Sequence, residues 1–320
     1  NEDRIKKDPN FRGSTLQKIG DDLYETLKNI TESTSSTGQA YVGSKIQANV
    51  VKGVKVVGMW EGGNIVDLYN IFMYKSSRQK LNTMASSSDR TTKSFLELLN
   101  MYKPEDLVST VRLLDSIVES DALRRILATR RFKASMLKFI NERKIVLITG
   151  GENTALNSMR ILLSSMLSMI YVASTNSIRD PKTSVYIFAD EFQEYANLSM
   201  KLILDTGRKW SISLFLATTS FSAIKNSQLK NSILANAQIR LLFRLGMNDF
   251  REFERESMLI TQNAPNLHPF TIIAKTPDTK YGIYESISLK NANKTPLDKA
   301  LAIVRANNSQ YVVSDDSYDS

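Results

Sequence analysis

The chain has 320 residues, of which 42% are hydrophobic, enough to bury one large core and a smaller helical one. Its 42 Lys and Arg outweigh 33 Asp and Glu, a formal charge of +9 that favours a polyanionic partner, because basic side chains gain affinity by releasing phosphate counterions. The absence of cysteine excludes disulfides, thiolate metal sites and a cysteine nucleophile. The single histidine, His268, stands in Asn266-Leu267-His268-Pro269, where a surface or packing role is expected rather than catalysis.

Residues 1–13 are polar and charged and read as a linker or frayed end. Leu16, Ile19, Leu23, Leu27 and Ile30 then recur at helical spacing and predict a helix over Thr15–Thr31. Glu32–Gly38 is a break rich in small hydroxyl residues. Tyr41–Trp60 is ambiguous, with Val54–Met59 the preferred strand. Asp67–Phe139 reads as mostly helical, interrupted at Ser86–Ser88 and at Lys103-Pro104, where Pro104 suits a first helical turn. Arg124, Arg125, Arg130 and Arg131 form a basic cluster in its later part. A strand is expected over Ile145–Thr149 and an apolar helix from about Thr154 to Ala173, the latter too punctuated by serines for a bilayer span.

The most telling stretch is Ser184–Thr219. Val185–Ala189 is a short apolar run of β-formers, as expected of a strand covered on both faces. Asp190 and Glu191 follow at its carboxyl end, where open α/β sheets bind their ligands. An adjacent acid pair could supply one carboxylate on the magnesium side and one that orients or deprotonates a water; equally, Asp190 could cap a helix starting near Phe192. Asn197–Thr206 then reads as a helix, Gly207-Arg208-Lys209-Trp210 as a basic turn, and Ile212–Ala217 as a second strand ending in Thr218-Thr219. A helix over Asn231–Asn236 leads to a further strand at Gln238–Leu242, in a run ending at Arg244. Phe270–Lys275 and Tyr281–Leu289 are candidate terminal strands.

Strand, DEFQ, helix, GRKW, a strand ending in LATT, helix, asparagine, then QIRLLFRLG: this order resembles the C-terminal half of HerA/FtsK-like P-loop ATPases. It is most similar to the conjugative type IV coupling proteins of TraG/TraD type and to HerA-type DNA translocases. The resemblance covers roughly residues 65–290. It implies a RecA-like α/β fold whose parallel sheet lacks its P-loop strand in this chain, with an inserted helical subdomain. The implied division is a partial segment over 1–64, a helical subdomain over 65–139, half an ATPase domain over 140–292, and a C-terminal helix with an acidic tail over 293–320. It implies ATP and Mg2+ as cofactors, Asp190 on the magnesium through water, Glu191 activating the attacking water, Thr219 sensing phosphate, and Arg208 and Arg244 facing the nucleotide. The implied partners are DNA, gripped in part by the arginine cluster, a second copy in a homo-oligomeric, hexameric ring, and relaxosome or secretion-channel proteins. The implied location is cytoplasmic, at the inner face of the cell membrane if a missing N-terminal region spans it.

Two departures qualify this. Nowhere is there a G-x-x-x-x-G-K-[ST] loop, whose amides and lysine hold phosphates. The economical account is that these residues are the downstream portion of a longer protein; a degenerate, non-hydrolysing relative is the second. The family's glutamine after LAT is here Thr219, which hydrogen-bonds but reaches less far. The readings are therefore a DNA-translocating ATPase inactive without its phosphate loop, a nucleic-acid-binding or secretion scaffold, and a pilus-assembly ATPase of the same secretion system. The four strands should be parallel, with Val185–Ala189 between the first and the third.

Overall fold

The structure is a computed structural model that describes residues 9–34, 43–60, 63–85, 90–128, 135–149, 155–175, 179–180, 182–277, 281–285 and 296–311. The chain divides into two compact units, the first comprising 1–185, 197–199 and 311–320, the second 186–196 and 200–310.

The first unit is helical. Its elements are α1 (Pro9–Thr34), α2 (Ser44–Met59), α3 (Ile65–Met73), α4 (Lys75–Met84), α5 (Arg90–Met101), α6 (Pro104–Val118), α7 (Asp121–Leu127), α8 (Met136–Asn141) and α9 (Leu156–Ser174). Leu27, Val50, Leu68, Ile71, Phe72, Leu99, Leu114 and Ile117 share one buried core. Burying each such side chain contributes about 1.5–3 kcal/mol. The α1–α2 crossing depends on Gly20, since a Cβ there would lie 2.9 Å from the Val51 backbone. Helix ends are closed by side chains: Asn64 and Asp67 form a capping box on α3, and Pro104 opens α6 as expected. Buried Arg78 donates to the carbonyls of Ile71 (2.7 Å), Phe72 (2.9 Å) and Leu99 (3.0 Å), satisfying acceptors that the ends of α3 and α5 leave open.

Several expectations are corrected here. Val54–Met59 is the last part of α2, not a strand; Val50, Val54 and Val57 fall at helical spacing and face the core together. The predicted N-terminal linker is helical from Pro9. Ile145–Thr149 forms no strand, and Ile145 and Leu147 are 91% and 88% exposed. The helix α9 is, by length and composition alone, long and apolar enough to cross a membrane, contrary to expectation, at 19 residues and mean hydropathy 1.3. It nevertheless buries Ile161 in the shared core, and Ser165 and Ser168 return hydrogen bonds to carbonyls one turn back. The calls on Ser86–Ser88, on Arg130 and Arg131 and on the acidic tail lie outside the described residues.

The second unit carries the strands. β1 (Val185–Ala189) and β2 (Ile212–Leu216) form a two-stranded sheet, and β3 (Arg240–Leu242), β4 (Thr271–Lys275) and β5 (Gly282–Glu285) form a separate one. At the strand tips the Ala217 amide donates to the Ala189 carbonyl (2.9 Å) and the Ala217 carbonyl accepts from the Phe192 amide (3.2 Å), so the two strands are clasped where they end. The unit's helices are α10 (Leu198–Thr206), whose first residues count with the other unit, α11 (Ser227–Asn236), α12 (Met247–Phe253), α13 (Met258–Asn263) and α14 (Leu297–Tyr311).

The expected four-stranded parallel order is not met. Among the described residues β1 pairs with β2 alone, so it lies at an edge of that sheet rather than between two neighbours. β3 runs antiparallel to β4, with Arg240 opposite Lys275 and Leu242 opposite Ile273; a short return over α12 and α13 suffices for that pairing. β4 and β5 confirm the two terminal strands. The strand side chains alternate in exposure: Ile187 is buried whereas Tyr186 and Phe188 are 63% and 75% exposed.

Candidate active site at the tips of β1 and β2

The acidic pair stands where the parallel strands end. Ala189 is buried and Asp190 exposed, so the chain leaves the sheet at the carboxylates. Glu191 then adopts left-handed backbone geometry (φ 47°, ψ 40°), which costs a side-chain-bearing residue about 1–2 kcal/mol. Such strain persists where the surroundings over-determine it, most often at functional sites. Its effect here is to break the strand abruptly: the Glu191 amide turns onto Asp190 Oδ1 (3.0 Å), and a short 3-10 turn, Phe192–Glu194, follows. Asp190 thus binds its neighbour's amide and does not cap that turn.

The Glu191 carboxylate gathers two donors on one oxygen. Gln193 Nε2 lies 2.5 Å from Oε2 and Thr219 Oγ1 lies 3.3 Å from it. Thr219 follows β2, so this contact joins the tips of the two strands across 28 residues of sequence. Tyr195 donates its hydroxyl to the Asp190 carbonyl (2.9 Å), and burial, followed by the Asp190 charge, pushes that phenol up to about 12. The contact thus brings together two residues, Glu191 and Thr219, that the sequence singles out. The roles of Gln193 and Tyr195 as supports were missed; their offsets from Asp190 were the available signal.

The other candidates do not converge on this cluster. Arg208 sits in the 3-10 turn Gly207–Trp210 beside an open depression that it lines with Asp205, Thr206 and Lys209. Asp205 is engaged by Lys201 (2.6 Å) and Asn236 (3.1 Å), so it does not hold Arg208, and Arg208 is exposed without an ion pair among the described residues. Arg244, past the end of β3, is likewise exposed. Arg124 pairs with Asp121 at 2.6 Å on the surface of α7, and Arg125 is exposed beside it. His268 is exposed at the turn into β4, as expected.

The donor set fits magnesium held largely by phosphate and water. Among the described residues no three His, Cys, Asp or Glu side chains cluster to cage a metal, while Asp190 offers one exposed carboxylate beside Glu191. Magnesium in nucleotide sites is commonly bound by one or two carboxylates plus phosphate oxygens.

The described residues thus form a helix-rich α/β architecture with a small parallel sheet and an acidic pair at its strand tips. Solved chains of the plasmid coupling protein TrwB are among those similar to it in fold. In complex with the non-hydrolysable ATP analogue ADPNP, TrwB is 14% identical, with TM-score 0.62 over 89% of this chain and 70% of that one. In complex with ADP and Mg2+ it is 13% identical, with TM-score 0.58 over 89% and 70%. The unbound bacterial conjugative coupling protein TrwB gives 13% identity and TM-score 0.54 over 86% and 70%. At such identity the likeness is one of fold. No family model matches the chain, and no curated protein does.

Proposed function

We propose that this chain forms the hydrolytic half of an ATP-driven DNA translocase of conjugative transfer, acting as a homo-oligomeric, hexameric ring at the inner face of the cell membrane. The observation that carries it is the contact of Thr219 with Glu191 at the joined tips of β1 and β2, in a chain with the fold of a coupling protein solved with nucleotide. Asp190 would hold Mg2+ through water, and bound magnesium would neutralise charge on the phosphates. Glu191 would orient and deprotonate the attacking water, and its left-handed backbone holds the carboxylate clear of the strand. Thr219 would report occupancy to the loop after β2. Arg208 and Arg244, both exposed, would be offered to nucleotide on an adjacent copy. The arginine cluster at Arg124, Arg125, Arg130 and Arg131 would grip DNA, with relaxosome or secretion-channel proteins as further partners.

The phosphate loop must then come from polypeptide outside these residues, and the strands support that. Among the described residues β2 and β3 lie in different sheets, each with an unpaired edge. Ile239, Leu241 and Phe243, on one side of the β3 segment, are 63%, 55% and 58% exposed. One added strand would pair both edges and cover this alternation. The second reading, a scaffold without hydrolysis, is favoured by the missing glycine-rich loop alone.

The deciding experiment joins this chain to a segment bearing the phosphate loop. ATP turnover is expected in the joined protein, and Glu191→Gln should lower it about 100-fold or more while nucleotide binding persists, since the amide keeps the shape but is no base. Parental turnover in Glu191→Gln would remove the catalytic assignment. No turnover in the joined parent, with DNA binding retained, would favour the scaffold.

A further inference from the structure

Asp249 is buried at 8% exposure, yet nothing in the reading above uses it. It occupies the first turn of α12, and its carboxylate is spent on another loop. Its Oδ1 accepts from the Ser222 amide at 2.7 Å and from Ser220 Oγ at 3.2 Å. Ser220 and Ser222 hydroxyls are 2.9 Å apart, and Thr218 Oγ1 closes the turn onto Ser220 by accepting from its amide (3.2 Å) and donating to its carbonyl (3.0 Å). Phe221, between the two serines, packs its ring on Phe253 of α12 at 5.0 Å. Every residue around Thr219 is therefore tied down, and Thr219 is left pointing at Glu191.

We infer that Asp249 is a positioning residue: by fixing the Thr218–Ser222 loop from α12, it sets the reach of Thr219 to Glu191. The inference rests on the site reading above for its functional meaning. The shorter side chain at the sensor position makes the argument sharper, because a threonine hydroxyl at 3.3 Å has no flexible stem with which to recover a displaced loop. Burial alone would push the Asp249 carboxyl up, but the bonds from Ser222, Phe221 and Ser220 outweigh it and hold the carboxyl below its ordinary value, so the anchor is ionised at neutral pH. Asp249 lies five residues after Arg244 in sequence, so the loop anchor and that arginine share one connection out of β3.

The test uses the full chain without nucleotide. In Asp249→Ala, amide hydrogen exchange over residues 218–222 should quicken about tenfold, as loss of a buried anchor demands, and the carboxyl 13C resonance of Glu191 should move. Asp249→Asn keeps an oxygen acceptor for both donors and should restore both signals, which loss of fold stability alone would not predict. If Asp249→Ala fails to fold, Ser220→Ala removes one donor and should speed exchange over the same loop. Unchanged exchange and an unmoved Glu191 resonance in Asp249→Ala, or in Ser220→Ala in its place, would overturn the inference. So would Asp249→Asn behaving as the alanine variant. Because no step involves ATP, these outcomes stand apart from whether the joined protein hydrolyses it.

Discussion

The helical unit and the strand-bearing unit handle their apolar side chains in opposite ways. In the first, Phe72 is 2% exposed and meets Phe95 edge-on at 6.4 Å, and even a buried arginine finds carbonyl partners. In the second, Phe188 and Phe215 stack at 4.4 Å while remaining 75% and 49% exposed, and the β3 segment leaves every second side chain in solvent. The difference teaches where each unit's partners come from. A helix satisfies its own backbone and needs only one face covered. A strand needs neighbours on both edges and, in a parallel sheet, on both faces. Ile145 and Leu147 of the first unit repeat the pattern of the second, at 91% and 88% exposed.

The largest expected effect breaks the closed side of this contrast. Phe72→Ala should destabilise the helical unit by about 3–5 kcal/mol, since the transfer loss and the cavity add. Trp60 and Trp210 fall one in each unit, so urea unfolding followed in Trp210→Phe reports the first unit through Trp60 alone. A loss under about 1 kcal/mol would mean that the helical core is not closed as described.

A second test concerns a buried acid of the helical unit. Asp22 on α1, 5% exposed, accepts from the Ser199 amide (3.1 Å) and from its hydroxyl (2.5 Å). Burial outweighs these bonds and raises its carboxyl above the ordinary 3.8. In the window between the unfolded and the raised folded value, the folded state holds a proton that the unfolded state has lost. Asp22 therefore stabilises most at pH below about 3.8, and that contribution falls as pH rises through the window. Asp22→Asn should flatten this part of the stability profile; urea midpoints across pH 4–7 measure it, about 1 kcal/mol being resolvable. An unchanged slope would show that the acid does not titrate there.

The smallest effect is the most informative about the open side. Leu241→Thr should alter the stability of the chain alone by less than about 0.5 kcal/mol, because the side chain already faces solvent. In the protein joined to its phosphate-loop segment the same change should cost about 1 kcal/mol or more, as the new neighbour strand covers it. Equal effects in both proteins, followed through Trp210, would mean that no strand is added at β3.

Much of the molecule was legible because it is local. Pro104 as a helix start, the helix through Leu16–Ile30, the apolar helix near Ile161, the strand before Asp190 and the turn at Gly207–Trp210 all follow from spacing, caps and breakers within a few residues. The failures were also local in origin: valines at 50, 54 and 57 satisfy a helical period, but β-branching favours a strand, and only packing against the helical core decided for the helix.

By itself the sequence determined that an apolar strand ends in Asp190-Glu191 and that a second ends beside Thr219, together with the basic balance of the chain. Only the tertiary structure decided that, among the described residues, β1 pairs with β2 alone, that β3 turns antiparallel onto β4, that Glu191 bends into left-handed geometry within reach of Thr219, and that Asp249 accepts hydrogen bonds from Ser220 and Ser222 in the loop that carries Thr219. The reason is physical: a strand's alternation records which faces are apolar but not which edge it meets, and a carboxylate's partner is fixed by where distant backbone amides come to rest.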